Sequence, residues 1–347
     1  MTAIPKISIL GAGCIGSYIA GCLLPLYKDT PARLSLIGRE KQRAVILSKG
    51  LSTTDLDGNL NNTISSINFV DNKELMESTI VPQDILIVTV KCTAIAESLD
   101  EIKQLIDNDT IIIALQNGIG SETLLKQTFA ENKILSGIVG FNVVEQSPSH
   151  FHRGTDGEIL IESNVEQSTN DKVLMQLVSM LNQQKIDTEL VDDFEQVCWG
   201  KLLLNLNNGI NALSNIPLKA QLSNRPFRKL LAGAMQETLT TLKAANIAPA
   251  KLTKVAPSMV PVILKLPNFL FTRVANQMLA IDPLARSSMW YDVSNNKPTE
   301  IEFINGAVVH LAKQFNVKTP INDAIIASIR QAEKQQQGSP SLSAQAI

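Results

Sequence analysis

Lys6-Ile-Ser-Ile-Leu-Gly-Ala-Gly-Cys-Ile-Gly16 decides the fold. Its first part, Ile7 to Leu10, is a continuous apolar run of strand length. Glycines follow at 11, 13 and 16, spaced G-x-G-x-x-G, and Ser17 to Leu26 continues as an amphipathic run. Strand, glycine turn and helix, in that order, is the context of a dinucleotide-binding fingerprint. Gly11 permits the tight turn off the strand, Gly13 lets the backbone approach a pyrophosphate, and Gly16 lets the helix pack close to the strand. The N–H groups and positive dipole end at the helix start would face that pyrophosphate. Gly11, Gly13, Cys14, Ile15 and Gly16 are therefore the candidate cofactor turn. The competing reading is a plain β–turn–α unit whose glycines serve packing alone.

The second strand, Arg33 to Ile37, ends in Gly38-Arg39-Glu40. An NAD-binder places Asp or Glu at this point to hold the ribose 2′-OH, and an NADP-binder a small residue and an Arg for the 2′-phosphate. Gly38-Arg39 points to NADP(H), with Arg39 gripping the phosphate. The preference reverses if Glu40 faces the ribose. Asp55-Leu-Asp-Gly58 is a hairpin-like turn between β-prone runs. Asp84 to Val90 is a buried parallel strand ending at Lys91, followed by a helix from about Ala94 to Leu105. Thr110 to Leu115 is another strand, ending at Gln116-Asn-Gly-Ile-Gly120. Doubly wound sheets bind ligands at such strand ends, so Lys91 and Asn117 are candidate contacts to cofactor and substrate. The bland readings are an exposed lysine and an Asn-Gly turn.

Residues 134–144 and 157–161 read as strands around Ser147-Pro148-Ser149. His150 and His152 share a strand face, but no third ligand with metal spacing accompanies them, so packing or surface roles are expected and no metal. A helix at 173–181 and a strand at 187–191 complete a first domain of residues 1–192. From 193 the pattern turns helical. Phe194 to Leu213 reads as one long helix on which Lys201, Asn205 and Asn208 form a polar stripe amid leucines. That stripe is either a functional edge or a solvated face. Pro226 to Ala244 is a further helix. Ser287 and Ser288 could cap a helix or line a site. Thr299 caps a helix from Glu300 to Phe315, whose first turn holds Glu300 and Glu302. Acids there are ordinary dipole partners, the safer reading for Glu302. The second domain spans 193–334, and the polar tail 335–347 is expected to be disordered.

A chain of 347 residues with 44% hydrophobic and 18% charged content suits two globular domains. A net charge of −2 supplies no basic field for nucleic acid or anionic membrane. The apolar stretch Val255 to Leu284 is broken by four prolines and carries Lys265 and Arg273, so it is not a membrane span. Four scattered cysteines and an N-terminus that enters a strand at once suit a reducing cytoplasm.

An NADP(H) site implies hydride transfer, which needs a carbonyl held over the nicotinamide and a proton for the developing alkoxide. None of the three histidines is placed to give it. A lysine of lowered pKa can, and Lys201 and Lys91 are the candidates.

Here the residues resemble the ketopantoate reductase (2-dehydropantoate 2-reductase) family along nearly the whole chain. The resemblance rests on Gly11-Ala-Gly-Cys-Ile-Gly16, Gly38-Arg39, Val90-Lys91, Gln116-Asn-Gly-Ile-Gly120, Trp199-Gly-Lys-Leu-Leu-Leu-Asn205, Ser287-Ser-Met289 and Thr299-Glu-Ile-Glu-Phe-Ile-Asn-Gly306. It implies an α/β fold, a Rossmann-type doubly wound sheet followed by an all-α domain, with the active site between them. It implies NADPH-dependent reduction of ketopantoate to pantoate, toward coenzyme A. Lys201 would be the general acid, and Glu300 would orient substrate and help hold Lys201. Asn117 would touch substrate and nicotinamide. Asn205 and Ser288 would bind substrate, and Arg39 and Lys91 the phosphate and ribose end of NADPH. The chain departs from the family at Gly209 and Ala285, where asparagines are expected. Its Pro-punctuated stretch reads as a lid, a homodimer contact or extra core. Competing classes are a reductase of another 2-keto acid, an opine-type dehydrogenase, which would need a catalytic His or Asp, and a non-catalytic NADPH-binding sensor.

Overall fold

A computed structural model describes residues 4–64, 67–77, 81–163, 169–274 and 283–347. The chain forms two compact units, Met1–Gln116 with Ser121–Phe194, and Asn117–Gly120 with Glu195–Ile347. The expected domain line at 192/193 did not include the transfer of 117–120 to the second unit.

The strands are β1 (Ile7–Leu10), β2 (Leu34–Gly38), β3 (Leu51–Thr54), β4 (Leu60–Ile64), β5 (Asn68–Asp71), β6 (Ile85–Val88), β7 (Ile111–Leu115), β8 (Lys133–Val139), β9 (Val143–Ser147), β10 (His150–Arg153), β11 (Ile159–Glu162) and β12 (Thr188–Val191). All belong to the first unit. Eight make one sheet in the order β12-β11-β8-β7-β6-β1-β2-β5, and β4-β3-β10-β9 make a second. From β5 to β8 every pairing in the large sheet is parallel, whereas β11 runs antiparallel to β8. The apolar runs at β6 and β7 explain the burial of both faces. Ile85, Ile87, Ile111 and Ile113 join one core, and Leu86, Val88, Ile112 and Ala114 join another, the alternation of a strand covered on each side. The chain leaves β1 for β2 on one side and later returns to β6 on the other. The glycine turn follows β1 at this switch point, where open α/β sheets bind ligands.

The helices of this unit are α1 (Cys14–Leu23), α2 (Glu40–Lys49), α3 (Asn72–Glu77), α4 (Leu99–Leu105), α5 (Ser121–Thr128) and α6 (Thr169–Gln183). The helix expected from 94 begins instead as two 3-10 turns, Cys92–Ala94 and Ala96–Ser98. Ser98 Oγ donates to Ala94 O at 3.0 Å, the kind of local side-chain bond that competes with a regular helix.

The second unit is helical, as expected: α7 (Phe194–Asn205), α8 (Asn207–Ser214), α9 (Leu218–Ser223), α10 (Arg225–Ala244), α11 (Val260–Lys265), α12 (Asn268–Val274), α13 (Ser288–Ser294), α14 (Ile301–Gln314) and α15 (Pro320–Gln335). The long helix expected over 194–213 is interrupted at Leu206. The Pro-punctuated stretch is held by Arg228 of α10, a fully buried arginine. It donates to the carbonyls of Leu222, Leu264 and Leu266 and to Asn268 Oδ1 at 2.8–3.0 Å, and its guanidinium lies 4.1 Å from the Phe271 ring centre. Val260, Leu264 and Phe271 are buried in the unit's core, so this part of the stretch is core; its residues 275–282 lie outside the described residues.

The tail corrects an expectation. It is not disordered. Ser339 Oγ donates to Ala212 O (2.6 Å) and Leu342 N to Leu213 O (2.8 Å), satisfying carbonyls that the end of α8 leaves without helical partners. Leu342, Ala344 and Ile347 pack on the core. Polar composition concealed a few apolar anchors and a set of open acceptors.

Arg228→Met keeps an unbranched apolar stem and removes every donor from four acceptors. The helical unit should lose about 3 kcal/mol or more, read as a lower urea midpoint for its unfolding.

Candidate functional site

In the first unit, the glycine turn is shaped by close contact. Gly11 N donates to Ile37 O (2.9 Å), and Thr89 Oγ1 donates to Gly11 O (2.8 Å). A Cβ on Gly16 would collide with Gly11 O and Thr89 Oγ1, and one on Gly11, at φ +116°, with Thr89 and Val90. Gly13 differs. Its φ of −81° and ψ of −172° suit any residue, it is exposed, and no heavy atom lies within 4 Å of where its Cβ would stand. Neither backbone nor packing requires glycine there. The space a Cβ would fill is what a pyrophosphate needs, so the turn fits a dinucleotide. Cys14 and Ile15, both half-buried, form the first turn of α1. Burial, then Glu145, push the Cys14 thiol up, while Lys91 pulls it back, which sets Lys91 beside the turn. Lys91 is exposed after the end of β6. Arg39 is exposed at the N-cap of α2, and Gln42 Nε2 ties α2 to the turn through Ala12 O (3.2 Å).

In the second unit, Lys201 and Asn205 on α7 and Asn208 on α8 are half-buried, while Leu202, Leu203 and Leu206 are buried. Burial pulls the Lys201 ammonium down to about 8, against the opposing attraction of Cys198 and Glu300. Lys201 as a residue retains some exposed surface, but its charged end is enclosed. Glu300 is buried and stands at the N-cap of α14 without capping it, since Thr299 Oγ1 accepts from Ile301 N (3.3 Å) instead. Glu302 is engaged elsewhere, with Arg330 (2.7 Å), the structural use expected of it. The segment 117–120 docks at the start of α14, where Ile119 N donates to Phe303 O (2.9 Å). Gly118, at φ +92°, lies so close to Phe303 that a side chain would clash. Asn117 is thus carried within a few residues of Glu300. Ser287 caps α13 by accepting from Trp290 N (3.1 Å), while its hydroxyl lies 3.2 Å from Asn208 O. Asn211 Oδ1 accepts from Ser287 N (2.9 Å). Ser288, next in the chain and exposed, is held beside Asn208.

The unit therefore brings Lys201 near Glu300, fastens the 117–120 segment to Phe303 of α14, and stitches Ser287 to Asn208. Sequence reading missed Cys198, one helical turn before Lys201, and Thr89, whose hydroxyl closes the glycine turn. Cys198 was findable from i, i+3 spacing; Thr89 needed a partner distant in the chain. Asn211, two residues from Gly209, is fully buried and fully hydrogen-bonded. His150 Nε2 and His152 Nδ1 both contact Thr54 Oγ1, at 3.2 and 3.0 Å, a packing arrangement. Among the described residues no cluster of three metal-ligating side chains occurs, and no helix is long and apolar enough to cross a membrane.

A dinucleotide cradle in one unit and a desolvated lysine beside a carboxylate in the other equip an oxidoreductase working with a pyridine nucleotide. Comparison with known proteins narrows this class. The chain matches the family described as Ketopantoate reductase PanE/ApbA over residues 7–166 and the C-terminal part of that family over residues 193–333, and it belongs to that family. It is 25% identical over 333 residues to a 2-dehydropantoate 2-reductase of Pyrococcus horikoshii, covering 94% of this chain and 97% of the relative. The crystal structure of a 2-dehydropantoate 2-reductase from Geobacter metallireducens shares the fold, with a TM-score of 0.75 at 24% identity over 94% of this chain and 99% of that one. D-mandelate dehydrogenase, solved with NADH and anilino(oxo)acetate, shares it too, at 0.76 and 20% identity over 95% and 99%.

Gly13→Val should leave the melting temperature within about 2 °C, since nothing crowds the new side chain, yet weaken dinucleotide binding at least tenfold in a fluorescence titration. The Lys201 side chain should titrate near pH 8 by NMR of labelled lysine, and Glu300→Gln, by removing an attractive charge, should move that titration lower.

Proposed function

We propose that the chain is an NADPH-dependent reductase of a 2-keto acid, with ketopantoate the favoured substrate and pantoate, a precursor of coenzyme A, the product made in the cytoplasm. The observation that carries this reading is the enclosed Lys201 ammonium, drawn down to about 8 beside Glu300. Bound NADPH supplies the hydride to the carbonyl carbon. Lys201 polarises the carbonyl oxygen and gives it a proton, and at pKa about 8 it does so near neutral pH without giving up its charge beforehand. Glu300 favours the ammonium form and accepts from a substrate hydroxyl. Asn117, Asn205 and Ser288 hold the rest of the keto acid, and Asn117 also meets the nicotinamide. Arg39 takes the 2′-phosphate, Lys91 the neighbouring phosphate and ribose, and the turn Gly11-Ala-Gly-Cys-Ile-Gly16 the pyrophosphate.

One observation supports a second substrate within this class. At Gly209, where the family asparagine is expected, a Cβ would stand 2.8 Å from Ile325 Cγ2. Packing leaves no room for that asparagine, so one expected substrate hydrogen bond is lost and a 2-keto acid without its partner group becomes acceptable. An opine-type reaction is not favoured, because His310, the histidine of the helical unit, is exposed on α14.

The test is NADPH oxidation at 340 nm over ketopantoate, 2-ketoisovalerate, acetolactate, pyruvate and benzoylformate, repeated with NADH. Turnover with at least one 2-keto acid is expected, falling above about pH 8 as Lys201 loses its proton. Lys201→Ala should lose at least a hundredfold in kcat while still binding NADPH. No turnover on any of the five would overturn the reading in favour of a sensor.

A further inference from the structure

We propose that Arg43 sets the preference for the phosphorylated dinucleotide by occupying the acids that would otherwise claim Arg39 or the adenosine ribose. The proposal rests on the NADPH reading above and names a positioning residue for it. The strand register places Asp71 of β5 opposite Gly38, at the end of β2 where a ribose-binding acid would stand. Glu40 follows two residues later, and Glu74 lies in the first turn of α3. Three carboxylates thus crowd the edge that Arg39 serves. Left to themselves they would accept from a ribose diol, pair with Arg39 and repel a 2′-phosphate.

One guanidinium takes all three. Arg43 Nη1 lies 2.9 Å from Asp71 Oδ2 and 3.6 Å from Glu40 Oε2, and Nη2 lies 3.2 Å from Glu74 Oε2. Asp71 is committed further, because Oδ1 also accepts from the backbone N–H groups of Lys73 and Glu74, both at 3.0 Å. Those bonds and Arg43 hold its carboxyl below the usual range. Arg39, by contrast, is exposed and has no side-chain partner among the described residues. Two arginines four residues apart therefore divide the work: Arg43 engages the protein's own anions, and Arg39 stays available to a foreign one.

The test is the ratio of kcat/KM for NADPH to that for NADH, with a good 2-keto acid saturating. In the native protein it exceeds one. Arg43→Gln should lower it about tenfold, through the KM for NADPH and not through kcat, the size expected when unit charges a few ångströms from a phosphate lose their counter-ion. Arg43→Gln/Glu40→Gln should regain most of the loss. Arg43→Lys, which keeps the charge but not the fork, should fall by about threefold and serves if Arg43→Gln does not fold. A purely structural Arg43 would weaken both cofactors alike, and an unchanged ratio in a folded variant overturns the proposal. So does a fall that Glu40→Gln fails to restore, because Arg43 would then hold the phosphate itself. A native ratio at or below one overturns the NADPH reading and this proposal with it.

Discussion

No side chain fits where the first turn of α1 meets the ends of β1 and β6. Gly16 must pass Gly11 O and Thr89 Oγ1, and Gly11 must turn at φ +116° against Thr89 and Val90. This close approach sets the helix axis, and with it the direction in which the N–H groups of residues 13–16 point. Gly13 sits inside the same turn under no such constraint, so the turn holds two kinds of glycine. Gly11 and Gly16 are glycine because the protein is near, whereas at Gly13 no protein atom crowds the place a side chain would take. The strand order that places β1 between β2 and β6 makes the cradle open at a sheet switch point.

The helical unit solves a different problem. It keeps a lysine ammonium largely out of water, which is costly unless the charge is shared or given up. Glu300 and Cys198 offset part of that cost, and burial still pulls the ammonium down to about 8. The surrounding rigidity comes from buried amides. Asn211 joins α8 to Ser287 and Gln221, and Gln221 in turn reaches Asn207. Asn322 joins Asn305 to Glu237, which also receives the N–H groups at the start of α15. Buried polar networks of this kind specify one arrangement of helices where leucine packing alone would tolerate several.

Much of this was legible in the chain itself. Period and turn chemistry placed the strands, and the glycine spacing placed the cradle, because both are local and repeat every two to four residues. Lys201 and Asn205 shared a stripe for the same reason. Apart from Cys198, three residues before Lys201, what escaped had no local signature. The Asp71 to Arg43 pair joins residues 28 apart, and Ser287 to Asn211 joins residues 76 apart. The tail misled because composition measures average polarity, whereas Leu342 and Ile347 needed only two anchoring contacts with a preformed surface. Thr299 caps as expected, but the helix begins at Ile301, so Glu300 stands at the N-cap position and not inside the first turn.

The assignment of residues 117–120 to the helical unit has a consequence for modularity. The backbone passes between the units three times, after Gln116, after Gly120 and after Phe194. A domain attached by one linker can be excised, fused to another cofactor domain or exchanged by a single recombination event. This helical unit cannot, because a fragment starting at Glu195 would lack the strand-end loop and leave Phe303 O without the N–H of Ile119. Cofactor unit and helical unit are therefore inherited as a pair, and the helical unit can change by point substitution but not by replacement as a block.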